Sequence, residues 1–234
     1  LLDHPQLHRL VIGQVVAMGM PLRSRIISTL AALAAAIATP LPALSADFDF
    51  YVLSLSWSPS WCAAEDPGGR TAQCDGRRPY RFIAHGLWPQ NERGWPEYCP
   101  SSEPERVPDS LARAYRDIIP SAGLAGHEWR KHGSCSGLAQ KPYFDTLRAA
   151  YAKVRLPPVV FDGRIDRRLD TDAIERLMIS ANPGLSPKAV AIDCEGGKLT
   201  EIRICLTKSL GFRSCDEVDR NACRQRTVLV PALR

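Results

Sequence analysis

Eight cysteines, at 62, 74, 99, 135, 194, 205, 215 and 223, limit this chain more than any other feature. None occurs before residue 62, the count is even, and no two lie closer than eight positions. Zinc modules require close C-x-x-C-type pairs, so the spacing argues for disulfides formed in an oxidising compartment. Eight cysteines can pair in roughly a hundred ways, and spacing does not choose among them.

The N-terminal region fits that compartment. Arg23-Ser24-Arg25 forms a small positive cluster, "IISTLAALAAAIA" (26–38) is apolar, and "TPLPALSA" (39–46) supplies helix breakers and small residues. Charged, apolar and small-residue segments in that order make a secretory signal, and the apolar run is too short to span a bilayer. Cleavage is expected after Ala46, with Met18 or Met20 as initiator, so that 1–46 is leader. The remaining 47–234 suits one domain with a sizeable core. Its net charge is +3, against +5 for the whole chain. That is compatible with a polyanionic partner without specifying one.

Along 47–234 the patterns alternate in kind. In "FDFYVLSLSW" (48–57), Tyr51, Leu53, Leu55 and Trp57 share one face and Ser54 and Ser56 the other, which predicts a half-buried strand. "YRFIAH" (80–85) reads as a strand ending at Gly86. Helical spacing covers 107–118 up to Pro120, then 143–154, then 171–181 with Thr171 as cap. Short strands follow at 188–194, 199–206 and 226–230. Strands and helices are partly segregated, so the expected class is α+β, a mainly antiparallel sheet flanked by helices.

Only five histidines occur. His4 and His8 fall in the leader, leaving His85 in "RFIAHGLWPQ" and His127 and His132 in "GHEWRKHGSC". Taken as helix, the second segment places His127, Glu128, Lys131 and His132 within an arc of about 140°, with Trp129 turned toward the core and Gly133 as C-cap. Two histidines four apart on a helix reach one zinc ion, but five apart they diverge, and Lys131 repels a cation, so no metal is expected. Acid–base chemistry around an anion suits the set better. Internal transfer in RNA requires a proton acceptor at the 2′-OH and a donor at the departing 5′-oxygen, on opposite sides of phosphorus. Histidine titrates near working pH and serves either task. Extra positive charge stabilises the phosphorane-like state, and DNA, lacking the 2′-OH, is not cleaved this way.

At these residues the chain resembles the ribonuclease T2 family of secreted ribonucleases. The resemblance is carried by "YVLSLSWSPSWC" (51–62), "FIAHGLWP" (82–89) and "HEWRKHGSC" (127–135), and extends over 48–230. It implies that His85 is the general acid, His132 the general base and His127 a phosphate ligand, with Glu128 and Lys131 stabilising the pentacovalent state. It also implies the disulfides Cys62–Cys74, Cys99–Cys135, Cys194–Cys223 and Cys205–Cys215, an α+β fold and no cofactor. For the base it points to Trp88 as a stacking platform and to Gln90, after Pro89, as a selecting amide; a broad base preference follows. The expected protein is a monomeric, periplasmic or secreted endoribonuclease without a membrane partner, making 2′,3′-cyclic phosphates and then 3′-phosphates. The competing readings are a catalytically silent binding or toxin-like relative and a metal-dependent hydrolase.

Overall fold

The computed structural model describes residues 47–233; the leader assigned to 1–46 lies outside the described residues. The chain runs β1 (Phe50–Trp57), α1 (Ser58–Glu65), β2 (Phe82–Gln90), α2 (Asp109–Ala114), α3 (Ala122–Lys131), α4 (Gln140–Lys153) and α5 (Pro158–Phe161). It continues through β3 (Arg167–Asp170), α6 (Thr171–Ala181), β4 (Val190–Glu195), β5 (Lys198–Leu206), α7 (Asp216–Arg220) and β6 (Thr227–Val230). The strands form one sheet in the order β2-β1-β5-β6-β3, with β4 also paired to β5. All pairings are antiparallel except the single β5–β6 contact, Lys198 opposite Leu229. The architecture is the expected α+β class. Among the described residues no helix is long and apolar enough to cross a membrane.

β1 is buried along its whole length rather than half-buried. It lies between β2 and β5, and both of its faces are covered. Tyr51, Leu53, Leu55 and Trp57 enter the main core with Leu87, Trp129, Tyr143, Phe144 and Leu147 from β2, α3 and α4. The opposite face carries Phe50 and Val52 in a smaller apolar cluster, then Ser54 and Ser56, which face β5 residues Arg203 and Glu201 across the ladder. Alternation identified the two faces correctly, but could not reveal that the serine face is covered by charged side chains.

β2 does not end at Gly86. It continues to Gln90, and its pairing with β1 slips by one residue: Ser54 faces Gly86 while Leu55 faces Ala84. His85 is therefore the extra residue of a β-bulge. In strict alternation it would share a face with Leu87, which is fully buried in the core. The bulge lets Ala84 and Leu87 both face the core and turns His85 to the other side. Tyr143 and Tyr151 of α4 donate their hydroxyls to the carbonyls of Leu87 (3.1 Å) and Phe82 (3.0 Å), pinning the strand on either side of the bulge.

Other local differences have simple causes. The helix expected over 107–118 is reduced to α2, followed by turns closed by the Ile118 and Ile119 amides on the Tyr115 carbonyl. The cap of α6 is Asp170, whose Oδ1 accepts the Ala173 amide at 3.0 Å; Thr171 is the first helical residue. Strand β3 lacked an apolar alternation to announce it, since "RRLD" is held by pairing with β6.

Four disulfides join Cys62 to Cys74, Cys99 to Cys135, Cys194 to Cys223 and Cys205 to Cys215, the pairs implied by the family resemblance. Cys99–Cys135 fastens the segment after β2 to the chain just beyond α3, beside the Tyr98 amide that donates to the Lys131 carbonyl at 2.9 Å. Closing a loop of that length typically stabilises by about 2–4 kcal/mol. The Cys99→Ala/Cys135→Ala variant should therefore lose about 2–4 kcal/mol in denaturant unfolding; a loss under about 1 kcal/mol would show that the bridge adds little to the surrounding contacts.

Candidate active site

On the face opposite the main core, β1, β2, β5, α3 and α7 border a cavity of about 380 Å³. One side is formed by His85, Trp88, His127, Glu128, Lys131 and His132, so the cavity brings together both histidine segments. Gln90, Trp95, Glu217 and Asn221 line the other side.

His85 reaches the cavity through the bulge. Its Nδ1 lies 2.5 Å from Glu201 Oε1, and its Nε2 lies 3.6 Å from Glu128 Oε1. Burial opposes charge on this ring, but the bond to Glu201 and the charges of Glu201 and Glu128 together outweigh it, and the His85 pKa rises. The adjoining Gly86 has no room for a side chain, because a Cβ there would collide with Glu128 Oε2 and the Trp88 indole.

α3 is capped by Ser121, whose hydroxyl accepts the Leu124 amide at 3.1 Å, and Trp129 anchors it, buried with its Nε1 donating to the Pro104 carbonyl at 2.9 Å. This fixes the rotation that aims Glu128 beneath β2. Glu128 is 1% exposed, and Trp88 Nε1 donates to its Oε2 at 2.8 Å. Burial pushes its carboxyl up to about 7, against the opposing pull of His85 and the Trp88 bond. Lys131 extends toward the same cavity, 3.7 Å from Glu97 Oε2. His127 is on the exposed side, its pKa lowered by partial burial and by Lys131.

His132 caps α3, so the expected role of Gly133 changes. Gly133 opens a short 3₁₀ turn, Gly133–Ser136, and has no side chain because a Cβ would press into Trp129 and Tyr143. The left-handed glycine is Gly137, at φ 73°. This tight turn buries His132 to 6% exposure, and its Nδ1 has no hydrogen-bond partner among the described residues. Burial, reinforced by Lys131 and the other imidazoles, drives its pKa down to about 3. Trp88 touches both rings, edge-on to His85 at 5.4 Å and stacked on His132 at 5.1 Å between centroids.

Gln90 is mostly buried and donates from Nε2 to the Gly94 carbonyl at 3.1 Å, while the Gly94 amide donates to the Glu217 carboxylate at 3.1 and 3.2 Å. Trp95, 54% exposed, borders this end. Tyr98 and Trp61 are exposed and do not line the cavity, whereas Trp57 is buried in the core. Arg220, Arg224 and Arg226 are exposed and do not line the cavity, and Arg226 pairs with Asp170 at 3.5 Å. Glu201 and Arg203 were not singled out from sequence. Their signal was two opposite charges at i and i+2 in the mostly apolar strand "LTEIRICL".

The Ribonuclease T2 family model matches residues 48–215, and the chain belongs to that family. A ribonuclease of Aeromonas hydrophila is 43% identical over 97 residues, covering 42% of each chain. A probable ribonuclease of Haemophilus influenzae is 29% identical over 182 residues, covering 73% of this chain and 62% of its own. The matches thus span less than two thirds of either relative's length. Among solved structures, an RNase-related protein from Calystegia sepium superposes with a TM-score of 0.65 at 19% identity, covering 80% of this chain and 99% of that one. At that identity the likeness shows the fold.

Two of the three cavity histidines, His85 and His132, differ in environment enough to be distinguished directly. In an NMR titration of the free protein, His85 should titrate above its ordinary value of 6.5 and His132 near 3. The unfolded chain takes up the His132 proton first, so this group's contribution to stability is present above pH 6.5 and declines as pH falls toward 3. Two unshifted titrations would contradict the environments described.

Proposed function

We propose that the chain is an endoribonuclease that cleaves single-stranded RNA by transphosphorylation to 2′,3′-cyclic phosphates and then hydrolyses these to 3′-phosphates. The observation that carries this reading is one cavity in which two of the three histidines, His85 and His132, have proton affinities shifted in opposite directions. Burial keeps His132 neutral and ready to accept a proton, while Glu201 raises the proton affinity of His85 and favours its charged, donating form. Family membership supports the same assignment.

In the first step His132 takes the 2′-OH proton as the O2′–P bond forms. His85 Nε2 gives its proton to the 5′-oxygen as the P–O5′ bond breaks. In the second step the roles reverse: His85 removes a proton from water, the new O–P bond forms, and His132 protonates O2′ as P–O2′ breaks. The substrate's own negative charge raises the His132 pKa when it binds, bringing the base nearer working pH. Lys131 and His127 hold the phosphate. Glu128, whose buried carboxyl is pushed up to about 7 and is thus partly protonated near neutrality, donates to a phosphoryl oxygen in its protonated form. Preorganised donors of this kind are commonly the largest contribution to such a site.

Trp88 and Gln90 are proposed as base-side residues. The Trp88 ring also orders His132 and Glu128, and the partly exposed Trp95 offers a further stacking face at the Gln90 end. A platform of aromatic faces and one amide gives weak base preference. The protein is proposed to act as a monomer, without metal or membrane. It is assigned to the periplasm or the cell exterior, a reading supported by the signal-like order of residues 23–46 and by four disulfides.

In purified, folded protein, His85→Ala and His132→Ala should each lower RNA cleavage by about 10²–10⁴-fold. Lys131→Ala should lower kcat by roughly 10²-fold with a much smaller change in KM. Chelator should leave the wild-type rate unchanged. Near-wild-type turnover in either histidine variant, or activity lost to chelator and restored by metal, would overturn the reading.

A further inference from the structure

Beneath His85 lies a fully engaged carboxylate. Glu201 Oε1 accepts the Ser56 hydroxyl at 3.0 Å and faces His85 Nδ1 at 2.5 Å. Its Oε2 accepts Arg203 Nε and Nη2 at 3.1 and 3.0 Å. Arg203 Nη2 is in turn 2.6 Å from Asp193 Oδ2 on the neighbouring strand β4. Strands β1, β4 and β5 thus immobilise the side chain of a residue that is itself only 8% exposed. We propose that Glu201 is a positioning residue that selects the Nδ1–H form of His85 and directs its Nε2 proton to the leaving oxygen. This rests on the assignment of His85 as general acid.

The chemistry follows from donors and acceptors. An ionised carboxylate only accepts, so the ring nitrogen facing it must carry a hydrogen. Nδ1 is thereby committed, and Nε2, on the Glu128 side of the ring, is left as the exchanging atom. Burial opposes ionisation of Glu201, but the His85 bond and the charges of His85 and Arg203 override it and bring the carboxyl down to about 2. The acceptor therefore stays charged throughout the working range. Arg203 also lines the cavity and lies over the Trp88 ring at 5.5 Å, yet its guanidinium is held by two carboxylates, so its task is to hold Glu201 rather than phosphate. The other charged or titratable groups facing His85 come from the α3 side: Glu128 and His127 on the helix and His132 at its cap.

Two substrates separate positioning from support of the fold. In a diribonucleotide the downstream nucleoside departs through its 5′-oxygen, a poor alkoxide leaving group that requires a proton from His85. In the 4-nitrophenyl ester of a ribonucleoside 3′-phosphate the leaving group is 4-nitrophenolate, stable enough to depart without that proton. Glu201→Gln keeps the shape and loses the charge; Glu201→Ala loses both. Both variants should lower kcat on the diribonucleotide by about 10- to 100-fold, while the ester loses less than about threefold. In Glu201→Gln the alkaline limb of the kcat profile should move to lower pH, because His85 surrenders its proton sooner.

His85→Ala should show the same substrate contrast with a larger loss on the diribonucleotide. Equal losses on both substrates in the Glu201 variants, alongside a preserved contrast in His85→Ala, would make Glu201 merely structural. Wild-type kinetics in Glu201→Gln, with an unmoved pH profile, would also overturn the proposal. Loss of the contrast in His85→Ala itself would remove the acid assignment, and the role of Glu201 with it.

Discussion

Opposite Ser54 and Leu55 of β1, strand β2 contains one residue more than its partner, and that residue is His85. A sheet alternates strictly unless a bulge intervenes, so one added residue decides whether this imidazole enters the apolar core or the cavity. Much else depends on that local irregularity. Gly86 must lack a side chain because Glu128 and Trp88 occupy the space the bulge leaves, and α4 holds the strand on both sides through Tyr143 and Tyr151. The covered serine face of β1 and the charged pair on β5 form the floor beneath the ring.

Environment divides the labour between chemically identical rings. His85 is tied to an ionised carboxylate that is itself tied to Arg203 and Ser56, and its affinity for a proton rises. His132 is packed at the end of α3 against Trp88, with cationic neighbours and no partner for Nδ1, and its affinity falls. Trp88 joins the two halves, touching both rings and donating to Glu128. The disulfide Cys99–Cys135 holds the covalent path between those halves short.

Much of this was legible in the amino-acid order because it obeys simple periodicities. The alternation in 48–57 marked β1, the spacing in 143–154 and 171–181 marked α4 and α6, and the concentration of histidines marked the cavity. What escaped notice was set by tertiary partners. β1 proved fully buried because its polar face meets β5 charges rather than solvent. Gly133 looked like a helix cap, but its place is dictated by Trp129 and Tyr143 pressing on it. Glu201 stayed hidden because its local signal, an opposite charge two positions on in a mostly apolar strand, does not tell a glutamate that holds a histidine from one that faces water.

The central claim is that the substrate's own 2′-hydroxyl attacks phosphorus, with the two histidines exchanging protons around it. It is tested most directly with a DNA oligonucleotide containing a single ribonucleotide, incubated in the presence of chelator, its product ends identified by mass. The account predicts one cut, on the 3′ side of the ribose, leaving a 2′,3′-cyclic phosphate that is later converted to a 3′-phosphate. Cuts elsewhere in the strand, or a 5′-phosphate at the new end, would mean that water rather than the 2′-hydroxyl attacks first, and that the histidine roles derived above are wrong.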